Sequence, residues 1–399
     1  MKAFNPQDFI KSQVKETKKL IGSERALVAV SGGVDSTTSA VLTYQAIGKN
    51  LLCVMLDDAF MREGEPQHIA QLVSQPPLNL PIKVIDVQER FLKALEGLHD
   101  AEEKRKAFRE TFYKVLGETA KKEKCNVLVQ GTIKADVVET TGGVKTQHNV
   151  LEQMGIDTVK RYGFKVVEPL VSLYKEQVRM VARHLGVPAE IAERQPFPGP
   201  GLSVRVVGEI KRDKLNSEKK ATTIVEQQFT KHKPSQYFAA ILDNKAAVHP
   251  ANMRLQEAIA RFLNVPSRHV AVKIFEARAT GVSDGKRRYG EIVAVKAQTM
   301  EGSIHNPPIS SLIALQTKAT TEDPSITRIL YNIKENPQKQ PYVAVLRAIQ
   351  TEDYLTAVVS EIPWTTLNAT ADQILKTCPN VSAVYYDVTP KPPATVEME

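Results

Sequence analysis

"AVSGGVDSTTSAVL", residues 29–42, ends an apolar run, passes through two glycines, an acid and hydroxyl side chains, and turns apolar again. The run before it, "ALVAVS" from residue 26, has the β-rich character of a buried strand, and a helix is expected from about Asp35. A strand that breaks at Ser31-Gly32-Gly33-Val34-Asp35-Ser36 and enters a helix has the chemistry of an anion cradle. Glycines let backbone N–H groups turn inward, and the helix N-terminus adds unpaired donors and the positive end of its dipole. The hydroxyls of Ser31, Ser36 and Thr37 add donors for phosphate oxygens. The competing reading is an ordinary tight turn in which Ser36 or Asp35 caps the helix.

Outward from that loop, "LLCVMLDD" at 51, "PIKVIDV" at 81, "NVLVQGT" at 126 and "FKVVEPL" at 164 are further short β-rich runs. Helix-like segments at 36–47, 89–98, 102–123 and 174–185 separate them. Near-continuous apolar strands alternating with helices predict an α/β fold, a parallel sheet covered on both faces with ligands at the strands' carboxyl ends. "RQPFPGPGLSVRVVGE", residues 194–209, crowds prolines and glycines into a rigid turn that ends this domain, giving expected domains of 1–205 and 206–399. A polar helical stretch follows at about 210–240. In the C-terminal α+β domain "EIVAVKAQT" at 291 parallels "YVAVLRAIQT" at 342, and "SITRILYNI" at 325 parallels "NVSAVYYDV" at 380. The parallels suggest duplicated β-α-β units over about 270–335 and 340–399, although short apolar strands also resemble each other by chance.

Composition narrows the function classes. The chain has 399 residues, 42% apolar, and no apolar stretch long enough for a membrane span; its polar N-terminus does not have the form of a secretory signal. A cytoplasmic location is expected. Cys53, Cys125 and Cys378 lack disulfide or zinc spacing. A formal net charge of +8 suits an anionic substrate or RNA, and the scattered basic residues favour small anions.

The loop lacks the lysine of the Walker motif, which occurs nowhere in the chain. Ser-Gly-Gly-x-Asp-Ser resembles instead the PP-loop of the ATP pyrophosphatases, which split ATP between its α and β phosphates to adenylate a substrate oxygen. "EEKRKAFRETF" at 102, "VLVQGTIKADVVET" at 127, "KTQHNV" at 145, "VEPLVSLYKEQVR" at 167, the proline-rich turn and the terminal "YYDVTPKPPATVEME" resemble, in order, blocks of the GMP synthetase family. That resemblance implies a ligase of purine biosynthesis: O2 of xanthosine monophosphate (XMP) attacks the α-phosphate of ATP, and ammonia then displaces AMP from C2 to give GMP. It implies ATP and Mg2+, with Ser31, Gly32, Gly33, Val34, Asp35 and Ser36 on the phosphates and Asp35 positioning the metal. The backbone around Leu56 and Gly131 would line the adenine pocket. Arg105, Lys391, Thr395 and Glu397 would bind XMP, and Lys145 would arrive on a lid to neutralise charge in the transition state.

Other assignments stay open at this level. Asp136 and Glu139 either touch substrate or metal or cap and pair on a helix face, and His148 either moves a proton or is a bonded loop histidine. The phosphate loop begins too early for a preceding glutaminase domain, so ammonia comes from a separate glutaminase subunit or from solution. A duplicated C-terminal lobe leaves either a homodimer or a chain that buries the same surface in cis. The chain departs from the family pattern at Asp58 and Ala59, where Asn or Thr and then Gly are usual. It departs again at Gln147 for His, at Asp284 ahead of Gly285, and at Met398 for Trp or Phe. These departures leave room for a paralogue adenylating another purine-like substrate; a non-catalytic nucleotide- or RNA-binding relative is the alternative of a different class.

Overall fold

The computed structural model describes residues 4–141, 158–248, 253–283, 286–352 and 355–399. Lys145, Gln147, His148, Asp284 and the side chain of Glu139 lie outside them. The chain forms two compact units, residues 1–94 with 106–199, and residues 95–105 with 200–399. The break at 199/200 falls inside the proline-rich turn.

The first unit runs Pro6–Ile21 (α1), Ala26–Ala29 (β1), Val34–Ile47 (α2), Leu51–Asp57 (β2), Glu65–Ser74 (α3), Ile82–Asp86 (β3) and Gln88–Leu95 (α4). It continues with Ala101–Lys122 (α5), whose residues up to Arg105 count with the second unit, Val127–Val129 (β4), Lys134–Thr141 (α6), Thr158–Tyr162 (α7), Lys165–Val167 (β5), Lys175–His184 (α8) and Ala189–Ala192 (α9). The five strands form one sheet in the order β3-β2-β1-β4-β5, every neighbour parallel. Each of the five β-rich runs is a strand of it. Ala26, Leu27 and Val28 have no exposed surface, which is why β1 shows no polar alternation. Order reverses between β1 and β4, and such a switch point opens a crevice beyond the strands' carboxyl ends.

The second unit contains Arg212–Phe229 (α10), Gln236–Asp243 (β6), Met253–Leu263 (α11), Val270–Ser283 (β7) and Lys286–Ala297 (β8). Ile309–Glu322 (α12), Ile326–Glu335 (β9), Tyr342–Gln350 (β10), Val358–Val359 (β11), Trp364–Thr377 (α13) and Val381–Asp387 (β12) complete it. The sequence reading ran one helical stretch to about 240. Instead α10 ends at Phe229, and past Pro234 the run "QYFAAILD" is a strand. Its side chains alternate between two cores: Phe238, Ala240 and Leu242 enter one, Ala239 and Ile241 the other.

The mixed sheet has the order β11-β10-β12-β9-β8-β7, with β6 antiparallel to β10. The segments β8-α12-β9 and β10-α13-β12 are both parallel crossovers, and β9 meets β12 antiparallel between them. The order is nested, because α11, β7, β8, α12 and β9 all intervene between β6 and its partner β10. Other segments of the same unit cover the outer edges. Along β7, Ala247 N donates to Ile274 O, Glu276 N to Lys245 O, Thr280 N to Met398 O and Val282 N to Pro393 O; along β6, Val207 N donates to Ile241 O. These bonds take up backbone groups that could otherwise template another strand.

Candidate active site

The phosphate loop occupies the β1/β4 switch point of the first unit. Helix α2 starts at Val34, one residue earlier than expected, and its N-cap is Gly33 with no side-chain cap hydrogen bond. The ordinary-turn reading needs Ser36 or Asp35 as that cap, and neither occupies the position. The first N–H groups of a helix have no acceptor within it, so an uncapped start presents donors to whatever anion enters. Gly32 takes φ +76° to turn the loop, a conformation side chains rarely adopt.

The loop hydroxyls are organised around one another. Ser31 Oγ and Ser36 Oγ are 2.9 Å apart, Ser31 N donates to Ser36 Oγ at 3.1 Å, and Ser36 Oγ donates to Gly33 O at 3.2 Å. Thr37 is fully buried and its Oγ1 has no partner. Gly131, just beyond β4, approaches the start of α2 so closely that a Cβ there would lie 2.8 Å from Ser36 N and from the carbonyl carbon of Asp35. Close backbone approach therefore gives Gly131 a reason to be glycine that its spacing alone did not supply. Leu56 is buried near the end of β2, paired with Ile85.

Asp35 is the electrostatic centre. Burial pushes its carboxyl above the ordinary range, Lys175 pulls it down and Asp136 adds to the upward push. Lys175 Nζ donates to Asp35 Oδ2 at 2.7 Å, while Oδ1 is buried with no hydrogen-bond partner. An orphaned carboxylate oxygen suits a hard divalent cation. Among the described residues no group of three or more His, Cys, Asp or Glu is placed to hold a metal.

Lys175, the partner of Asp35, was not among the expected site residues. It lay in plain view in "YKEQVR", but nothing local announces that the start of α8 faces the start of α2. Tyr174 caps α8 in a box with Gln177, and the Lys134 ammonium sits 5.0 Å from the centre of the Tyr174 ring. Asp136 accepts from Ile133 N at 3.0 Å, the contact of a helix cap. The proline-rich turn is pinned nearby: Arg194 pairs with buried Glu65, which also holds Arg62, and Arg62 lies over the Phe197 ring at 4.2 Å. Just before that cluster Ala59 takes φ +75°, so the alanine standing where glycine is usual occupies left-handed backbone.

The other expected site residues belong to the second unit. Thr395 Oγ1 donates to Thr280 O and accepts from Arg328, and both carboxylate oxygens of Glu397 accept from Arg205 at 2.8 and 3.0 Å, with Gln236 adding a third bond. Arg328 and Arg347 converge on buried Asp387 at 2.8 and 2.6 Å, and Arg347 also donates to the carbonyls of Thr389, Thr395 and Val396. Arg105 pairs with Glu102 and donates to the Glu399 carbonyl; Lys104, fully buried, pairs with the Glu399 side chain. The Lys391 backbone pairs both ways with Ala357. Met398 is fully buried in the core beneath the tail, the apolar slot expected of it.

Comparison with known proteins bears on what this arrangement is for. Residues 4–200 match the family model for NAD synthase, and residues 333–398 match that for the GMP synthase C terminal domain. Along its whole length the chain is 42% identical to one of the subunits of the glutamine-hydrolyzing GMP synthase of Sulfurisphaera tokodaii, over 397 residues covering 100% of both chains. The chain belongs to the GMP synthase family. The corresponding GMP synthase chain of Methanopyrus kandleri is 37% identical over 406 residues, with 99% of this chain and 100% of that one covered. A solved structure, NMN synthetase from Francisella tularensis, is similar over 50% of this chain and 79% of its own, at 18% identity and TM-score 0.39. No helix of the described residues is long and apolar enough to cross a membrane.

Proposed function

We propose that this chain is the ATP-dependent ligase that aminates XMP to GMP, and that the uncapped loop with Asp35 at its mouth is where ATP is cleaved. Membership of the GMP synthase family, with identity along the full chain, supports the overall reaction. The observation that carries the site is the start of α2, where no side chain caps the helix and one Asp35 oxygen has no partner.

In this reading O2 of XMP attacks the α-phosphate, the bond to the β-phosphate breaks and pyrophosphate leaves. Ammonia then adds at C2 of the adenylated intermediate and AMP departs with O2. Backbone N–H groups of residues 32–36 and the hydroxyls of Ser31 and Ser36 take up charge on the leaving pyrophosphate. Mg2+, held by Asp35 and the phosphates, would supply further charge neutralisation. Lys175 keeps Asp35 ionised against burial, and Lys145 adds its charge to the phosphates. Leu56 and Gly131 contribute backbone to the adenine pocket. Arg105 and Lys391 bind XMP directly, while Thr395 and Glu397 contribute by fixing the tail that presents Lys391. The relatives are named as one subunit of a glutamine-hydrolyzing synthase, which supports a separate glutaminase chain as the ammonia source. Covered sheet edges in the second unit support a chain that does not dimerise through them.

The test is pyrophosphate release by the purified chain with Mg-ATP and ammonium, with and without XMP, followed together with GMP formation. Release and GMP that both depend on XMP are expected; release stimulated only by another nucleotide would overturn the substrate.

A further inference from the structure

A lysine without exposed surface, Lys104, lies at the start of α5, next to Arg105. It occupies the first turn of the helix, where the positive end of the macrodipole disfavours a cation. A residue such as Met would fill the same space with no charge to take out of water. Burial pushes the Lys104 ammonium below its ordinary range, and the Glu399 carboxylate beside it acts in the opposite direction. Packing alone does not account for a cation in that position.

What the ammonium does is join three segments of the second unit. Lys104 Nζ donates to Val206 O at 2.8 Å, Gly208 O at 3.0 Å and Ser203 O at 3.2 Å, and it pairs with the Glu399 carboxylate. Four oxygens thus surround a group with three N–H bonds, the surroundings of a small bound cation rather than of a surface lysine. Glu399 Oε1 accepts from Gly208 N at 2.8 Å, and Glu399 N donates to Val204 O at 3.3 Å. The alternate carbonyls turn away, Val207 O and Glu209 O accepting from Lys214 Nζ at 2.6 and 3.4 Å. Residues 206–209 are therefore held between two buried ammonium groups. Arg105, the next residue of α5, donates to the Glu399 carbonyl and pairs with Glu102, which also binds Arg287. The hold continues back along the tail, because Arg347 donates to the carbonyls of Thr389 and Thr395 on either side of Lys391.

We propose that Lys104 is a positioning residue for the substrate nucleotide: its ammonium locks the start of α5 to residues 203–208 and to Glu399, so that Arg105 and Lys391 meet XMP as one preformed frame. The inference rests on the reading that Arg105 and Lys391 bind XMP. Lys104 itself, without exposed surface, touches no substrate. Its contribution is preorganisation, since a frame already held need not be ordered when XMP arrives.

The experiment uses the full chain and steady-state pyrophosphate release with Mg-ATP and ammonium, with Arg105→Ala as reference. Lys104→Met should raise the XMP KM by about tenfold and leave kcat and the ATP KM within about twofold, a split that loss of a merely structural bond does not produce. Glu399→Gln, which keeps the volume of the core, should raise the XMP KM by about threefold and carries the test should Lys104→Met fail to fold. In Lys104→Ala the deleted atoms correspond one for one to n-propylammonium. That ion should bring the XMP KM back down and leave the KM of the unaltered chain as it was, whereas tetramethylammonium, which has no N–H to donate, should not. An Arg105→Ala chain with an unchanged XMP KM would overturn the reading and the inference together. If Arg105→Ala raises the XMP KM while folded Lys104→Met and Glu399→Gln leave it unchanged, or raise the ATP KM equally, the role of Lys104 alone is overturned.

Discussion

The phosphate loop and the C-terminal tail are both rich in polar groups, and they differ in how densely those groups bond to one another. At the start of α2 no side chain caps the helix, and Asp35 Oδ1 and Thr37 Oγ1 are buried alone. Beneath the tail, Asp387 holds two arginines, Glu397 is gripped by Arg205 and Gln236, and Lys104 meets Glu399. Buried polar groups are normally satisfied, so an orphan beside an open helix end marks a place where a ligand completes the structure. The tail's network is denser, though it too keeps a buried atom without a hydrogen bond in Arg328 Nε, and it fixes the chain's own shape.

The strongest way to break the contrast is Asp35→Ala. It should lower XMP-dependent pyrophosphate release by about 10³-fold or more while thermal unfolding changes little; a folded variant with near-normal release would remove Asp35 from the chemistry. Asp387→Asn should do the opposite. It leaves two buried guanidinium groups facing each other, and denaturant unfolding should show a loss of about 3–5 kcal/mol.

Lys175→Met sharpens the comparison further. The pair with Asp35 is partly exposed, so its removal should cost under about 1 kcal/mol of stability. Release should nevertheless fall by about 10²-fold, because Asp35 loses the cation that opposes its burial. Stability falling while turnover holds would place Lys175 in the scaffold. Lys391→Ala should raise the XMP KM by about tenfold with kcat nearly unchanged; an unchanged XMP requirement would leave the tail without a contact to substrate. The smallest effect belongs to Ala59→Gly. Relief of left-handed strain, set against glycine's greater entropy in the unfolded chain, should stabilise by about 0.5 kcal/mol in urea unfolding.

Much of the first unit was legible because its information is local. A buried parallel strand is a short apolar run, and the break at Ser31-Gly32-Gly33 announces itself by composition. What sequence did not disclose depends on distance in the chain. Lys175 meets Asp35 across 140 positions, and no periodicity encodes that meeting. Gly131 matters because another segment's backbone lies against it. Strand β6 escaped because its alanines and its place after a polar helix extend a helical pattern that Pro234 then ends. Thr395 and Glu397 were expected to bind the substrate, and nothing in the sequence announced that Arg328, Arg205 and Gln236 already hold them.

The nesting of β6 and β10 carries a consequence for how the second unit is assembled in time. Their first register pair, Tyr342 with Asp243, joins positions about 100 residues apart, and closing a flexible loop of that length costs about 4 kcal/mol in chain entropy. If the inserted elements α11 to β9 fold first from their closer contacts, the open chain between the two strands shortens to the connections flanking the insert. The order of events should therefore run from the inside outward, with the β6–β10 pair late and absent from the rate-limiting transition state. Substitutions that weaken that pair should then speed unfolding and leave the refolding rate almost untouched.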